Sequence, residues 1–201
     1  YLNDEIEMLN KTGAIFTSKK RTTSISNSIK DNHNLVILDD GFQDYSIKPN
    51  FSILCFNSKQ LIGNGLVIPS GPLRESFSSI KRADCIFING DKNLEFEDKI
   101  KKINQNTKIF YSRYKIKKLD KFINKKIVAF AGIGNPQNFF DLFKENNLDI
   151  EKTISFPDHH NFSENELNKI LENKKDYKND ILFLTTEKDF FRIKEKIKRN
   201  F

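Results

Sequence analysis

Two adjacent carboxylates follow the apolar run Leu35-Val36-Ile37-Leu38, in Asp39-Asp40-Gly41-Phe42-Gln43. A strand buried on both faces delivers such acids at its carboxyl end, where α/β sheets bind their ligands. An Asp in that position can hold Mg2+ beside the phosphates of a nucleotide. The same residues also fit a strand that ends in an ordinary Asp-Gly turn. Further along, Gly63-Asn64-Gly65 precedes Pro69-Ser70-Gly71-Pro72-Leu73-Arg74-Glu75. Its glycines and prolines fix a backbone shape rather than leave it loose. Arg74 can clamp a phosphoryl oxygen and Glu75 can face a metal; a surface loop with both side chains solvated is the alternative.

Three more constellations lie in the second half. Ala129-Phe130-Ala131-Gly132-Ile133-Gly134-Asn135-Pro136 is a strand running into a glycine turn and a proline-started helix. It lacks the third glycine of the dinucleotide fingerprint, since Gln137 stands there, and close strand–helix packing is the preferred reading. Phe156-Pro157-Asp158-His159-His160-Asn161-Phe162 holds two of the three histidines, behind an Asp and before a helix. Such a loop can present an imidazole as general base or charge stabiliser. With neither Cys nor a third His nearby, zinc is the weaker reading. Thr185-Thr186-Glu187-Lys188-Asp189 is another polar cluster after an apolar strand, read mainly as the network that starts a helix. His33 sits in a polar turn and is read as solvated.

Positioning these residues takes a layered α/β framework. Strands are expected at 14–16, 35–38, 51–56, 85–88, 108–111, 127–131 and 181–185. Helices are expected at 22–30, 77–82, 94–103, 138–145 and 164–171. Runs such as 35–38 and 181–184 are apolar on both faces, as in the middle of a parallel sheet covered by helices. Ser163-Glu164-Asn165-Glu166 is a capping box, a hydroxyl three residues before a Glu. The aperiodic stretch 57–75 is long for a loop in a compact domain, a length that goes with function or disorder. The expected division is a first α/β unit over 1–114, a charged linker over 115–126 and a smaller α/β lobe over 127–201.

With 201 residues and 12% aromatics, the chain has enough apolar surface for one large or two small cores. Cys55 and Cys85 lie inside apolar runs and read as core residues rather than as a disulfide or metal pair. The longest uncharged apolar stretch, 127–133, is far too short to span a bilayer. The formal charge is +7, yet only six of the 34 basic residues are arginines, few for a reader of base edges and phosphates. The lysine excess reads as a solvated surface or as weak attraction to an anionic partner such as lipid headgroups.

In order along the chain, six landmarks resemble the tetraacyldisaccharide 4'-kinase family of lipid A biosynthesis. They are Asp39 to Gln43, Gly63-Asn64-Gly65, Pro69 to Glu75, Ala131 to Pro136, Phe156 to His160, and Thr185 to Asp189. The resemblance implies a P-loop-NTPase-like, mostly parallel sheet flanked by helices, with a smaller C-terminal α/β lobe. It implies ATP-dependent phosphorylation of the 4'-hydroxyl of a tetraacylated glucosamine disaccharide 1-phosphate, with Mg2+ as metal.

By motif position it makes Asp4 and His159 the catalytic pair, although Asn3 and Ile6 replace the Gly and Pro usual around that Asp. Asp40, Gln43 and Arg74 become contacts to the cofactor, with Arg74 facing a phosphate or headgroup, and Asp39, Asp40 and Glu75 the acids around the metal. Implied partners are the lipid A disaccharide precursor and an anionic membrane surface, at the cytoplasmic face of the bacterial inner membrane, with no nucleic acid. The chain opens on Tyr1, and nothing in it matches G-x-x-x-x-G-K-[ST]. A fragment lacking the family's N-terminal P-loop and hydrophobic anchor, inactive alone, is therefore expected. Another P-loop kinase or NTPase and a basic nucleic-acid-binding module are the competing readings; a GTPase's Asn-Lys-x-Asp is absent.

Overall fold

The computed structural model describes residues 6, 8–10, 13–172 and 181–193. The chain forms two compact α/β units, one over Phe16–Tyr114 and one over the residues from Lys115 onward together with those before Phe16.

In the first unit, β1 (Ile53–Asn57), β2 (Cys85–Asn89) and β3 (Lys108–Ser112) make a three-stranded parallel sheet in the order β1-β2-β3. The register sets Ile53 opposite Cys85, and Cys85 opposite Lys108. The central strand is the apolar one: Cys85, Ile86 and Ile88 are buried. Between β2 and β3 runs α2 (Leu94–Ile103). Its apolar residues Phe96, Ile100 and Ile103 recur on one face at helical spacing and pack on Ile86 and Ile88 in one core. Asn93 caps its start, accepting from the Phe96 N–H at 2.9 Å. Acids in its first turn and lysines in its last suit the helix dipole. The segment Phe77–Arg82, expected as a helix, is a 3-10 helix that buries Ile80. Before the sheet lies α1 (Arg21–Lys30).

In the second unit, β4 (Lys126–Ala131) lies between β5 (Ile150–Ser155) and β6 (Ile181–Thr185), all parallel. Residues Ile127 to Ala131 are completely buried, because the two-residue period of a strand sends them into two separate cores. Val128 and Phe130 meet Leu167 and Ile170 of α4 (Glu164–Glu172). Ile127, Ala129 and Ala131 meet Phe140 and Phe143 of α3 (Pro136–Glu145). Ile116, Leu119 and Phe122, within the stretch expected as a linker, pack against the second of these cores. A short helix, α5 (Glu187–Arg192), follows β6.

Helices thus flank two parallel sheets, the α/β class expected. Three elements differ. Residues 35–38 form no strand and join no ladder among the described residues, and Leu35 and Ile37 are 79% and 87% exposed. Apolar character gives a segment the capacity to be a buried strand, but a strand needs a neighbour with free backbone groups. Residues 14–16 likewise pair with nothing among the described residues. Conversely, β5 escaped because Ile150-Glu151-Lys152-Thr153-Ile154-Ser155 is an edge strand with only its two isoleucines half-buried. No helix of the described residues is long and apolar enough to cross a membrane.

Candidate functional site

Within the first unit, the Asp39-Asp40 turn is built around Arg21, the first residue of α1. Its Nη2 donates to the carbonyl oxygens of Asp39 and Asp40 at 3.2 and 3.0 Å, and its Nη1 pairs with the Asp44 carboxylate at 3.4 Å. Asp40 holds a left-handed backbone, φ 50°, which suits the short polar side chain of an Asp. Donation from the Ser46 hydroxyl and N–H lowers the Asp44 carboxyl below its ordinary range, with Arg21 a smaller cause. The carboxylates of Asp39 and Asp40 are exposed, and Asp40 pairs with Arg74 at 3.0 Å.

Arg74 and Glu75 are delivered by a loop that is ordered rather than loose. Asn64 donates through Nδ2 to the Ser70 carbonyl at 2.7 Å and accepts from the Leu66 N–H at 3.1 Å. Gly71 fits because nothing larger can: a Cβ there would lie 2.3 Å from the Leu66 carbonyl oxygen. Glu75 accepts from the Tyr45 hydroxyl at 3.0 Å and pairs with Arg82. The Arg82 guanidinium in turn lies 4.4 Å from the centre of the Phe42 ring and 4.6 Å from that of Tyr45. Gln43, Arg74 and Glu75, with Asn57 and Gln60 at the carboxyl end of β1, line a cavity of about 270 Å³.

Three of the expected contact residues therefore share one concavity at a strand's carboxyl end. Asp39 and Asp40 are hard oxygen donors of the kind Mg2+ takes one or two at a time. Glu75 is engaged by Tyr45 and Arg82 instead. No group of three or more His, Cys, Asp or Glu side chains able to hold a metal comes together among the described residues.

The second unit assembles its own cluster where β4 and β6 end. Thr186 caps α5, its hydroxyl accepting from the Asp189 N–H at 3.1 Å. The Asp189 carboxylate, fully buried, accepts from the Thr186 hydroxyl at 2.7 Å and from the Gly132 N–H at 3.0 Å. One helical turn later, Arg192 donates through Nη1 to Asp189 at 3.2 Å and to the Gly132 carbonyl at 3.0 Å. Its Nη2 reaches Nδ1 of His159 at 3.0 Å.

His159 sits in a left-handed turn, φ 58°, with its N–H donating to the Gly132 carbonyl at 3.1 Å and to Asp158 Oδ1 at 3.0 Å. Gly132 is closely packed here: a Cβ would stand 3.0 Å from the His160 Cβ and 3.2 Å from the Pro157 carbonyl oxygen. His160 is the structural member of the pair. It stacks on Phe156 at 4.6 Å and its Nε2 contacts Glu166 at 3.1 Å. Glu166 accepts from the Ser163 N–H at 2.9 Å while donating its own N–H to the Ser163 hydroxyl at 3.3 Å, the reciprocal capping box expected from the sequence. Donation from the Ser163 hydroxyl and N–H is the main reason that the Glu166 carboxyl is lowered to about 2, with His160 adding to it.

Asp4 lies outside the described residues. Arg21, Tyr45, Arg82 and Arg192 were not among the expected site residues. Only Arg192 left a trace in the sequence, a cation one helical turn after an acid in a segment already read as a helix start.

A family model described as tetraacyldisaccharide-1-P 4'-kinase (LpxK) matches residues 2–201. The tetraacyldisaccharide 4'-kinase of Pelagibacter ubique is 36% identical over 200 residues, which are 98% of this chain and 63% of that protein. Its counterpart in Haemophilus influenzae is 35% identical over 155 residues, 77% of this chain and 44% of that one. A crystal structure of LpxK from Aquifex aeolicus in complex with ATP is 20% identical, covering 77% of this chain and 47% of its own, at a TM-score of 0.49. The chain spans about half to just under two thirds of the length of these relatives. With a match that runs through all six landmarks, the chain belongs to the tetraacyldisaccharide-1-phosphate 4'-kinase family.

Proposed function

We propose that the protein containing these residues transfers the γ-phosphoryl group of ATP to the 4'-hydroxyl of a tetraacylated glucosamine disaccharide 1-phosphate, a lipid A precursor. The observation that carries this reading is the placement of His159. The resemblance of the Asp158-His159-His160 motif makes it the catalytic candidate, and its ring and backbone are held by Arg192, Asp158 and Gly132.

His159 takes or organises the proton of the attacking hydroxyl, a role worth about 10²–10⁴-fold in rate. Arg74, at the mouth of the cavity that Gln43 also lines, offers a planar cation to phosphate oxygens. Asp39 and Asp40 are the residues that would hold Mg2+, which when bound neutralises charge on the transferring group. Asp4, as the partner of His159, and Glu75, as a third acid, remain part of this reading. The lipid acceptor sets the place of action at the cytoplasmic face of the bacterial inner membrane, where a net charge of +7 favours an anionic surface. A nucleic-acid role is not favoured. Only six of the 34 basic residues are arginines, few for a reader of base edges and phosphates.

The test is a kinase assay of the complete gene product that contains these residues, with Mg·ATP and the disaccharide acceptor. His159→Ala is expected to lower kcat by about 10²-fold or more with little change in KM for ATP. An unchanged kcat would remove His159 from the chemistry. The 201 residues alone, which carry no G-x-x-x-x-G-K-[ST], are expected to show no turnover.

A further inference from the structure

We infer that Arg192 is a positioning residue that fixes the tautomer of His159, leaving its ring proton on Nε2. An arginine side chain only donates hydrogen bonds. With Arg192 Nη2 at 3.0 Å from His159 Nδ1, that nitrogen must present its lone pair, so the neutral ring carries its hydrogen on Nε2. On the far side of the ring, Nε2 lies 3.9 Å from Asp158 Oδ2, a carboxylate that favours a hydrogen there.

Arg192 is itself held. Its side chain is 7% exposed, and its Nη1 is fixed by the fully buried Asp189 and by the Gly132 carbonyl. Gly132 is also the residue whose carbonyl receives the His159 N–H and whose N–H reaches Asp189. The end of β4, the His159 turn and α5 therefore share one hydrogen-bonded unit, and the imidazole cannot turn over without breaking its bond to Arg192. A chain Thr186–Asp189–Arg192–His159 runs from a helix cap to the ring. Between the two roles left open for His159, this selects organising over taking: the ring meets the reacting groups as a donor at Nε2. The consequence for catalysis rests on the kinase reading above; the tautomer does not.

The experiment is long-range 1H–15N NMR of the 201-residue chain labelled with 15N, at pH 8, with His33→Gln and His160→Gln assigning the three rings. His159 is expected to show Nε2 protonated, Nδ1 bare and no detectable Nδ1–H form. A coupling across the hydrogen bond is expected between His159 Nδ1 and an Arg192 Nη. In Arg192→Met the coupling is lost and the ordinary mixture of both tautomers returns; Arg192→Lys, which keeps a donor, restores part of the preference.

A detectable Nδ1–H form in the wild type would overturn the inference. So would an unchanged tautomer in an Arg192→Met chain whose His160 resonances show a native fold. If that variant does not fold, the wild-type spectrum decides alone. A complete gene product without kinase activity, beside a 201-residue chain with the expected tautomer, would refute the kinase reading and leave Arg192's role standing.

Discussion

Replacing Asp189 by Ala is expected to destabilise the second unit by about 3–5 kcal/mol. The carboxylate is fully buried and receives three donors: the Gly132 N–H, the Thr186 hydroxyl and the Arg192 guanidinium. Truncation leaves the buried amide of Gly132 without that acceptor, an effect of roughly 1–3 kcal/mol by itself. It also leaves a guanidinium of 7% exposure without the carboxylate that compensates it. These losses overlap, so the pair-breaking figure is the better guide than their total. Against a domain stability of about 5–15 kcal/mol, the loss is a large part of the whole.

Urea unfolding followed by circular dichroism reads it out. With a slope of about 1–3 kcal/mol per molar, the midpoint should fall by at least about 1 M. Arg192→Met in the Asp189→Ala background supplies the internal control. With the unpaired cation gone, the double variant should be less damaged than the two single changes added together, by about 0.5–3 kcal/mol. A cost below about 1 kcal/mol with additive behaviour would refute the claim that this buried pair holds the end of β4 to α5.

Gly71→Ala should loosen the loop before Arg74, because the new methyl would stand 2.2 Å from Asn64 Oδ1 and 2.3 Å from the Leu66 carbonyl; faster proteolytic cleavage within residues 63–75, at unchanged global stability, is the expected readout. Ser163→Ala removes the hydroxyl cap of α4 and should cost about 1 kcal/mol at neutral pH. The Glu166 carboxyl is lowered from an ordinary 4.5 to about 2 in the folded chain, so its contribution is present above the ordinary value and is lost as pH falls from 4.5 toward 2. The gap between wild type and Ser163→Ala, measured by thermal unfolding, should accordingly narrow over that window. Cys55 is exposed and Cys85 buried, and burial raises the Cys85 thiol above its ordinary range. A thiol reagent should therefore modify one cysteine in the native chain and two in denaturant.

What the sequence disclosed depended on how local its physical cause was. The strand at 127–131 was legible because its residues are apolar at every position and it is buried on both faces, and α2 because its apolar spacing and charges agree. The segment 35–38 has the same composition and behaves otherwise, since exposure depends on which strand lies alongside, not on the segment itself. The edge strand β5 shows the reverse, a real strand whose outward residues are polar. The landmark residues were legible by type and order, yet their supports were not. Arg82 stands between Phe42 and Tyr45, forty positions away, and Arg21 serves a turn eighteen residues on; only the folded chain brings these together. Arg192 sat after Phe190 and Phe191 as one more cation on a short helix, and its partner His159 lies on a different loop.

The most direct test of the account is transfer of phosphate to the acceptor by the complete gene product containing these residues. Incubation with γ-labelled ATP, Mg2+ and the tetraacylated disaccharide 1-phosphate should yield a labelled bisphosphate whose new phosphate sits on the 4'-oxygen. His159→Ala should abolish nearly all of it. Label released only to water, or equal transfer by wild type and His159→Ala, would contradict the assignment.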